Sequence, residues 1–317
     1  MKISPRIVTL IVLLLIVVLA PLFFSSSYHF RVGALVLINS IAVMGIVILT
    51  GFVGQISLGH AGFIGIGAYA CALAPKHLGV PVLAAAVLGA LVSALVAWVV
   101  GRPILRLRGY YLSVATLGFG ILISMVLTNE SWLTGGPDGM EVPNMALRGW
   151  LADIGISLSN AQFWYAFSAI IMVIAAAIAL NLQYSATGRA LRALHDSEVA
   201  AATIGVDVAR YKLQGFVISA VYASLAGSLL AMQNRYVTPE LSGFMNSIEI
   251  VTMAVLGGAA SIVGAFFGAT LLTALPQILT FLQEYEQIAL GLIMMLVMIF
   301  LPNGVLPSLV RLVRGRG

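Results

Sequence analysis

The chain has 317 residues, of which 61% are hydrophobic and only 9% charged, with a formal net charge of +5. Soluble domains carry about 25% charged residues, so this composition excludes a cytosolic enzyme, a disordered chain and a nucleic-acid-binding domain. The remaining solvent is lipid.

A run of about 20 apolar residues crosses a hydrocarbon core of about 30 Å as a helix. The apolar runs here are continuous, without two-residue alternation, so helices rather than a closed barrel are expected. The fold class is therefore an all-α polytopic membrane protein in a single domain, residues 1–317. Candidate spans follow in chain order at Ile7–Phe24, Ala34–Gly51, Ser57–Ala74, Pro81–Gly101, Tyr110–Thr128, Phe163–Gln183, Leu213–Gln233, Ser247–Gly257, Ser261–Leu282 and Ile288–Leu301. That makes about ten transmembrane helices. Short glycine-bearing joints at Gly51–Gln55 and Gly257–Ala260, and a short eighth run with re-entrant character, widen the range to eight to ten. The first run follows Lys2 and Arg6 as a signal peptide would, but it is too long for an h-region and no A-x-A-type site follows, so it reads as a span.

With the N-terminus inside, the cytoplasmic side receives Lys2, Arg6, Arg102, Arg106, Arg108, Arg189, Arg192, Arg210, Lys212, Arg311, Arg314 and Arg316. The outside receives Arg31, Lys76, Arg148 and Arg235. This asymmetry fits the positive-inside rule and puts both termini in the cytoplasm. It also accounts for the net charge without a nucleic-acid partner. Residues 129–162 form an outer loop with a dense turn signal at Thr134–Gly139. Residues 184–212 form an inner segment too polar to span. It is alanine-rich, and a helix is expected there, capped by Ser185 or Thr187 and ended by Gly205. Cys71 is a lone cysteine in an apolar run and reads as a small buried residue.

No G-x-x-x-x-G-K-[ST] loop is present, so no ATP site is expected in this chain. Scattered histidines (His29, His60, His77, His195) argue against a metal cluster, and no catalytic residue or cofactor is expected. Ser57 and His60 sit three apart on one helix face, which suits neighbours better than a facing catalytic dyad. Polar groups within spans are scarce and costly. Asn39, Gln55, Ser57, His60, Thr116, Asn246 and Glu249 are the candidates to line a path, set against interhelical hydrogen bonding and, for Glu249, snorkelling to the outer interface. Gly59, Gly62, Gly65, Gly264 and Gly268 are candidates for close helix packing. In the inner segment, Gly188, Arg189, Arg192, Asp196, Glu198 and Gly205 are candidates to couple to a cytosolic protein, the alternative being a plain connector.

Gly51-Phe-Val-Gly-Gln-Ile-Ser-Leu-Gly-His-Ala-Gly-Phe-Ile-Gly-Ile-Gly-Ala-Tyr69 resembles the signature of branched-chain amino acid ABC permeases. So do Leu107–Phe119, Leu133–Gly139, Ser185–Leu194, Val255–Ala269 and Leu301–Gly304, in an order that covers nearly the whole chain. The resemblance is strongest to the LivM-type subunit. His195 stands where the family often has a second arginine. The resemblance implies an inner-membrane permease without an enzymatic centre, paired with a sister LivH-type permease. It also implies two cytosolic ATPase subunits that use ATP and Mg, and a periplasmic binding protein delivering leucine, isoleucine or valine. Urea or short amides are the alternative cargo. An ion-coupled secondary transporter is the rival mechanism, and it would want more intramembrane acids than Glu249. Five spans per half would make any internal repeat inverted.

Overall fold

The computed structural model describes residues 5–107, 109–145 and 158–278, together with Ile288, Gly291, Leu292, Met295, Ile299 and Gly304. Apart from these isolated positions, the expected tenth span at Ile288–Leu301 lies outside the described residues. Lys2, Arg108, Arg148 and the basic residues at 311–316 do so too.

The described chain is helical almost throughout. Helices α1 (Pro5–Leu19), α2 (Ser27–Val47), α3 (His60–Leu78), α4 (Val82–Ile104) and α5 (Tyr110–Asn129) come first. A two-residue strand β1 (Met140–Glu141) follows. Then come α6 (Asn160–Tyr184), α7 (Ala186–Asp196), α8 (Glu198–Thr203), α9 (Val208–Asn234), β2 (Tyr236–Val237), α10 (Phe244–Gly257) and α11 (Ile262–Ile278). Six of these helices, α1, α2, α4, α5, α6 and α9, are long and apolar enough to cross a membrane. Helix α3 is held back by its glycines and by Lys76 and His77 in its last turn. It faces other helices rather than lipid along much of its length, so it has less need of a uniformly apolar surface.

Packing sorts the helices into a centre and a shell. In the most apolar stretches of α2 and α9, 78% and 72% of residues are buried, against 11% in α1. Helix α9 packs on α2, α3 and α4, while α2 also meets α6 and α11. The reason lies in a stripe of small buried residues at four-residue spacing along α9: Gly215, Ser219, Ala223, Gly227 and Ala231. A methyl group built on Gly227 would sit 2.0 Å from the Ile64 carbonyl oxygen, and one on Gly67 would sit 2.0 Å from that of Ser224. Backbones this close are possible only without side chains between them. The shell helices α1, α4 and α5 turn Leu15, Leu91, Leu95, Leu122 and Met125 outward.

The second span starts at Ser27 rather than Ala34, because the polar residues from Ser27 to Arg31 continue the helix beyond its apolar run. The third starts at His60 rather than Ser57, leaving Val53–Gly59 irregular after a wide π turn at Ile48–Phe52. The inner segment is not one helix. It breaks at Ser197, whose extended backbone (φ −165°) ends α7 and whose hydroxyl caps α8 through the Ala200 amide. In the outer loop, Gly135, Gly136 and Gly139 all take positive φ, as the turn signal predicts. That turn leads into β1, which pairs antiparallel with β2, Met140 opposite Val237.

Candidate functional site

The densest polar cluster forms where the irregular segment Val53–Gly59 meets the start of α3. His60 is fully buried. Its Nδ1 lies 2.9 Å from the Ser57 hydroxyl and its Nε2 lies 2.5 Å from the Ser219 hydroxyl. Ser219 in turn donates its proton to the Gly45 carbonyl at 2.6 Å. That commitment fixes the others. Ser219 can only accept from the imidazole, so His60 carries its proton on Nε2 and its Nδ1 accepts from Ser57. The result is a directed chain, Ser57 to His60 to Ser219 to Gly45, that ties the irregular segment to α3, α9 and α2. Phe63 and Phe216 stand edge-on to the imidazole, with centroids 6.0 and 6.3 Å away.

The irregular backbone beside it is paired locally. The Leu58 amide donates to the Thr116 hydroxyl at 3.1 Å, and Ser113 donates to the Ile56 carbonyl at 3.1 Å. The Ala61 amide donates to the Ser247 hydroxyl at 3.0 Å, joining the start of α10 to the start of α3. Ser219 lies eleven residues into α9, about 16 Å along its axis by the helical rise. Non-helical backbone that deep is tolerated only when protein groups satisfy it. The Gln55 amide likewise donates to the Leu49 carbonyl at 3.1 Å, but its side chain is 5% exposed and neither of its polar atoms has a partner.

The structure therefore gathers Ser57, His60 and Thr116 at one place, with Gln55 in the same segment. Asn39 lies elsewhere and donates to Thr273 of α11 at 3.0 Å. Asn246 donates to the Leu241 carbonyl at 2.7 Å, just before α10. Glu249 is half-buried one turn further along α10. Ser219, Gly45 and Ser247 belong to the cluster but are absent from the sequence-derived set. The small-residue stripe that contains Ser219 is the signal that would have found it.

The small residues also meet as partners. A methyl on Gly59 would lie 2.0 Å from the Thr116 carbonyl oxygen, and one on Gly65 would lie 2.7 Å from Ser242 Cβ and 3.0 Å from Leu127. Gly62 has more room, 3.4 Å to Gly120 and Ile123. Gly264 backs onto the Gly257 carbonyl and Gly268 onto that of Met253, closing α10 against α11.

The second constellation is α7 with α8. Ser185 caps α7 through the Gly188 amide at 3.1 Å. Gly188 is buried against the Leu182 carbonyl, where a methyl would come within 2.0 Å. Arg189 and Arg192 bond the Tyr184 and Gln183 carbonyls at 3.2 and 2.9 Å, closing the C-terminus of α6. Glu198 pairs with Lys212 Nζ at 2.5 Å, inside the chain. Asp196 is exposed, and so is Gly205, whose positive φ turns the chain after α8. Leu191 and Leu194 are buried on the inner face of α7, whereas Val199 and Ile204 are 74% and 75% exposed. The end of α7 touches the irregular segment, since a methyl on Gly54 would lie 2.9 Å from His195 Nδ1.

The family model described as "Branched-chain amino acid transport system / permease component" matches residues 29–300. The chain is 32% identical to the high-affinity branched-chain amino acid transport system permease protein LivM of Salmonella typhimurium, over 93% of this chain and 73% of that protein. It is 27% identical to the corresponding LivH protein of Escherichia coli, over 84% of this chain and 90% of that one. It is 26% identical to the autoinducer 2 import system permease protein LsrC of Yersinia enterocolitica, over 62% and 53%. No solved structure matches the chain.

Proposed function

The chain belongs to the branched-chain amino acid transport system permease family, and from that premise we propose how it works as the membrane permease subunit of an ATP-driven importer of leucine, isoleucine and valine. It is a multi-pass membrane protein and a non-enzymatic transport component. In the proposal it sits in the inner membrane with ten spans and both termini in the cytoplasm. It forms the path with a LivH-type sister permease and receives cargo from a periplasmic binding protein. It binds no cofactor, and two cytosolic ATPase subunits bind beneath it.

The observation that carries the mechanism is the contact of α7 with Val53–Gly59. His195 rests on Gly54, and Val53 and Leu191 both approach Gly215. Force applied to α7 and α8 from below would reach the Ser57–His60–Ser219 chain through this segment, without crossing lipid. The exposed Val199 and Ile204 give a docked ATPase subunit an apolar hold, and Arg189 and Asp196 fix its orientation, as charges at interfaces do more than they add affinity. Glu198 is spoken for by Lys212, so its reversal would disturb the chain's own fold.

The test uses the assembled complex in nanodiscs. Ile204→Asp and Arg189→Glu are expected to lower substrate-stimulated ATP hydrolysis severalfold, with capture by the free binding protein unchanged. Normal rates in both would leave α7 and α8 as a connector and direct attention to the loop at residues 102–108.

A further inference from the structure

We infer that a polar pocket at the proposed outer end of the bundle is a receiving site for a free zwitterionic α-amino acid, with Arg31 and Arg235 holding its carboxylate and Gln233 its ammonium. The inference rests on the amino acid permease reading above and gives it a site. The pocket has a volume of about 760 Å³, within the range of about 300–1,000 Å³ common to small-molecule sites. It lies where α2 and α6 begin and α9 ends. Among the described residues its lining contributes two guanidiniums and no carboxylate.

Two helix N-termini and one C-terminus meet here. Ser27 and Asn160, the first residues of α2 and α6, line the pocket, and the amides of helix N-termini favour anions, though at α6 the Ser159 hydroxyl already takes the Gln162 amide. Gln233 and Asn234, at the end of α9, bring the opposite, cation-favouring end of a helix dipole. Ser26, at the N-cap of α2, places its hydroxyl on His29 Nδ1 rather than on a helix amide.

Two further observations specify more than an anion. First, Gln233 Oε1 is buried without a hydrogen-bond partner. A bare anion leaves such an acceptor unmet, whereas an ammonium satisfies it. An acidic side chain on a docking protein would meet the arginines and still leave Gln233 orphaned, which favours the small zwitterion. Second, Arg235 takes φ 58°, the only positive φ outside glycine among the described residues. It ends α9, where glycine or asparagine ordinarily serves. The fold's requirement alone would be met by glycine, so it is the guanidinium that needs explaining. Trp164 is among the lining residues and supplies apolar surface for an aliphatic side chain. Another cavity, about 500 Å³ between α1, α2, α6 and α11, has no guanidinium or carboxylate among its described lining residues and offers a zwitterion nothing comparable.

The test measures binding of radiolabelled leucine to the complete complex in nanodiscs, without nucleotide or binding protein. Competitors are 4-methylpentanoate, which is leucine without its ammonium, and 3-methylbutylamine, which is leucine without its carboxylate. Saturable binding is expected, weakened about tenfold by Arg31→Gln and by Arg235→Gly, since each removes a charge-assisted bond. Glycine suits the backbone at 235, so that variant keeps the fold. Gln233→Leu is expected to weaken leucine while leaving 4-methylpentanoate unchanged. Absence of saturable binding, indifference to all three substitutions, or 4-methylpentanoate competing as well as leucine would each overturn the site. If the arginine variants lose only transport driven by the binding protein and keep direct leucine binding, the pocket is a docking surface and the inference fails. Leucine transport by the full complex is measured in parallel. Transport without binding overturns this site alone, whereas loss of both in the unsubstituted complex overturns the amino acid reading as well.

Discussion

Ser219 shows how one hydroxyl can organise a buried cluster. It accepts from His60 Nε2 and donates to the Gly45 carbonyl, so its proton and one of its two lone pairs are used between helices. Ser168 is as deeply buried, but its hydroxyl has no partner. The two serines should therefore respond in opposite ways. Ser219→Ala leaves the imidazole N–H unpaired and strips the Gly45 carbonyl of its side-chain donor, leaving it the Ile48 amide, and is expected to cost about 1–3 kcal/mol. Ser168→Ala removes an unmet polar group and is expected to be neutral or slightly stabilising. Thermal unfolding of the purified chain in detergent, followed by tryptophan fluorescence, measures both. Equal loss in the two variants would mean that the His60 chain contributes nothing beyond packing.

Helix contacts in this molecule are set by the space between backbones. Along α9, Gly227 faces the Ile64 carbonyl with no room for a methyl, whereas Gly118 of α5 has nothing within 4 Å of a built Cβ. Gly227→Ala is thus expected to push α9 off α3 and destabilise by about 3 kcal/mol or more. Gly118→Ala should be tolerated, helped by alanine's better helix propensity of about 1 kcal/mol. Gly65→Leu belongs with the first kind, because Ser242 and Leu127 already press on that position, and Ile66→Leu is the mild comparison. Yield of monodisperse protein on size exclusion separates the classes, and similar yields for Gly227→Ala and Gly118→Ala would refute the close approach.

The whole molecule has two chemically distinct ends. At one, Arg102 stacks 3.6 Å over the Trp98 ring and Arg6 lies 5.4 Å over that of Tyr184, a pairing of cations with aromatic rings that suits a membrane–water interface. At the other, Trp132 donates to Glu130, and the β1–β2 ladder ties the outer turn to the segment after α9. The proposed orientation puts Asp138 outside and Asp196 inside, and both are exposed. A cysteine at 138 should be labelled by a membrane-impermeant maleimide in intact cells, and one at 196 only after lysis. Cys71 is fully buried, so the background should be low. The reverse pattern would invert the topology.

Composition alone settled that the solvent is lipid and the elements are helices, because 61% hydrophobic residues in long unbroken runs admit little else. Turn chemistry was equally local: Gly135, Gly136 and Gly139 take the left-handed backbone that their cluster announced. The family was legible too, carried by motifs spread over the chain. Which helix lies at the centre was not. A span bathed in lipid is apolar on every side, so the periodicity that marks the inner face of a soluble helix is absent, and the small-residue stripe of α9 marks a close approach without saying which helices make it. Only tertiary structure could bring Ser219 and Gly45 to His60, since these groups lie on separate helices and meet only because Gly67 and Gly227 let the backbones close. The break at Ser197 escaped for a related reason: alanine-rich flanks favour helix on both sides, and the turn is set by the Lys212–Glu198 pair and the burial of Leu194 and Ala201 against neighbouring helices.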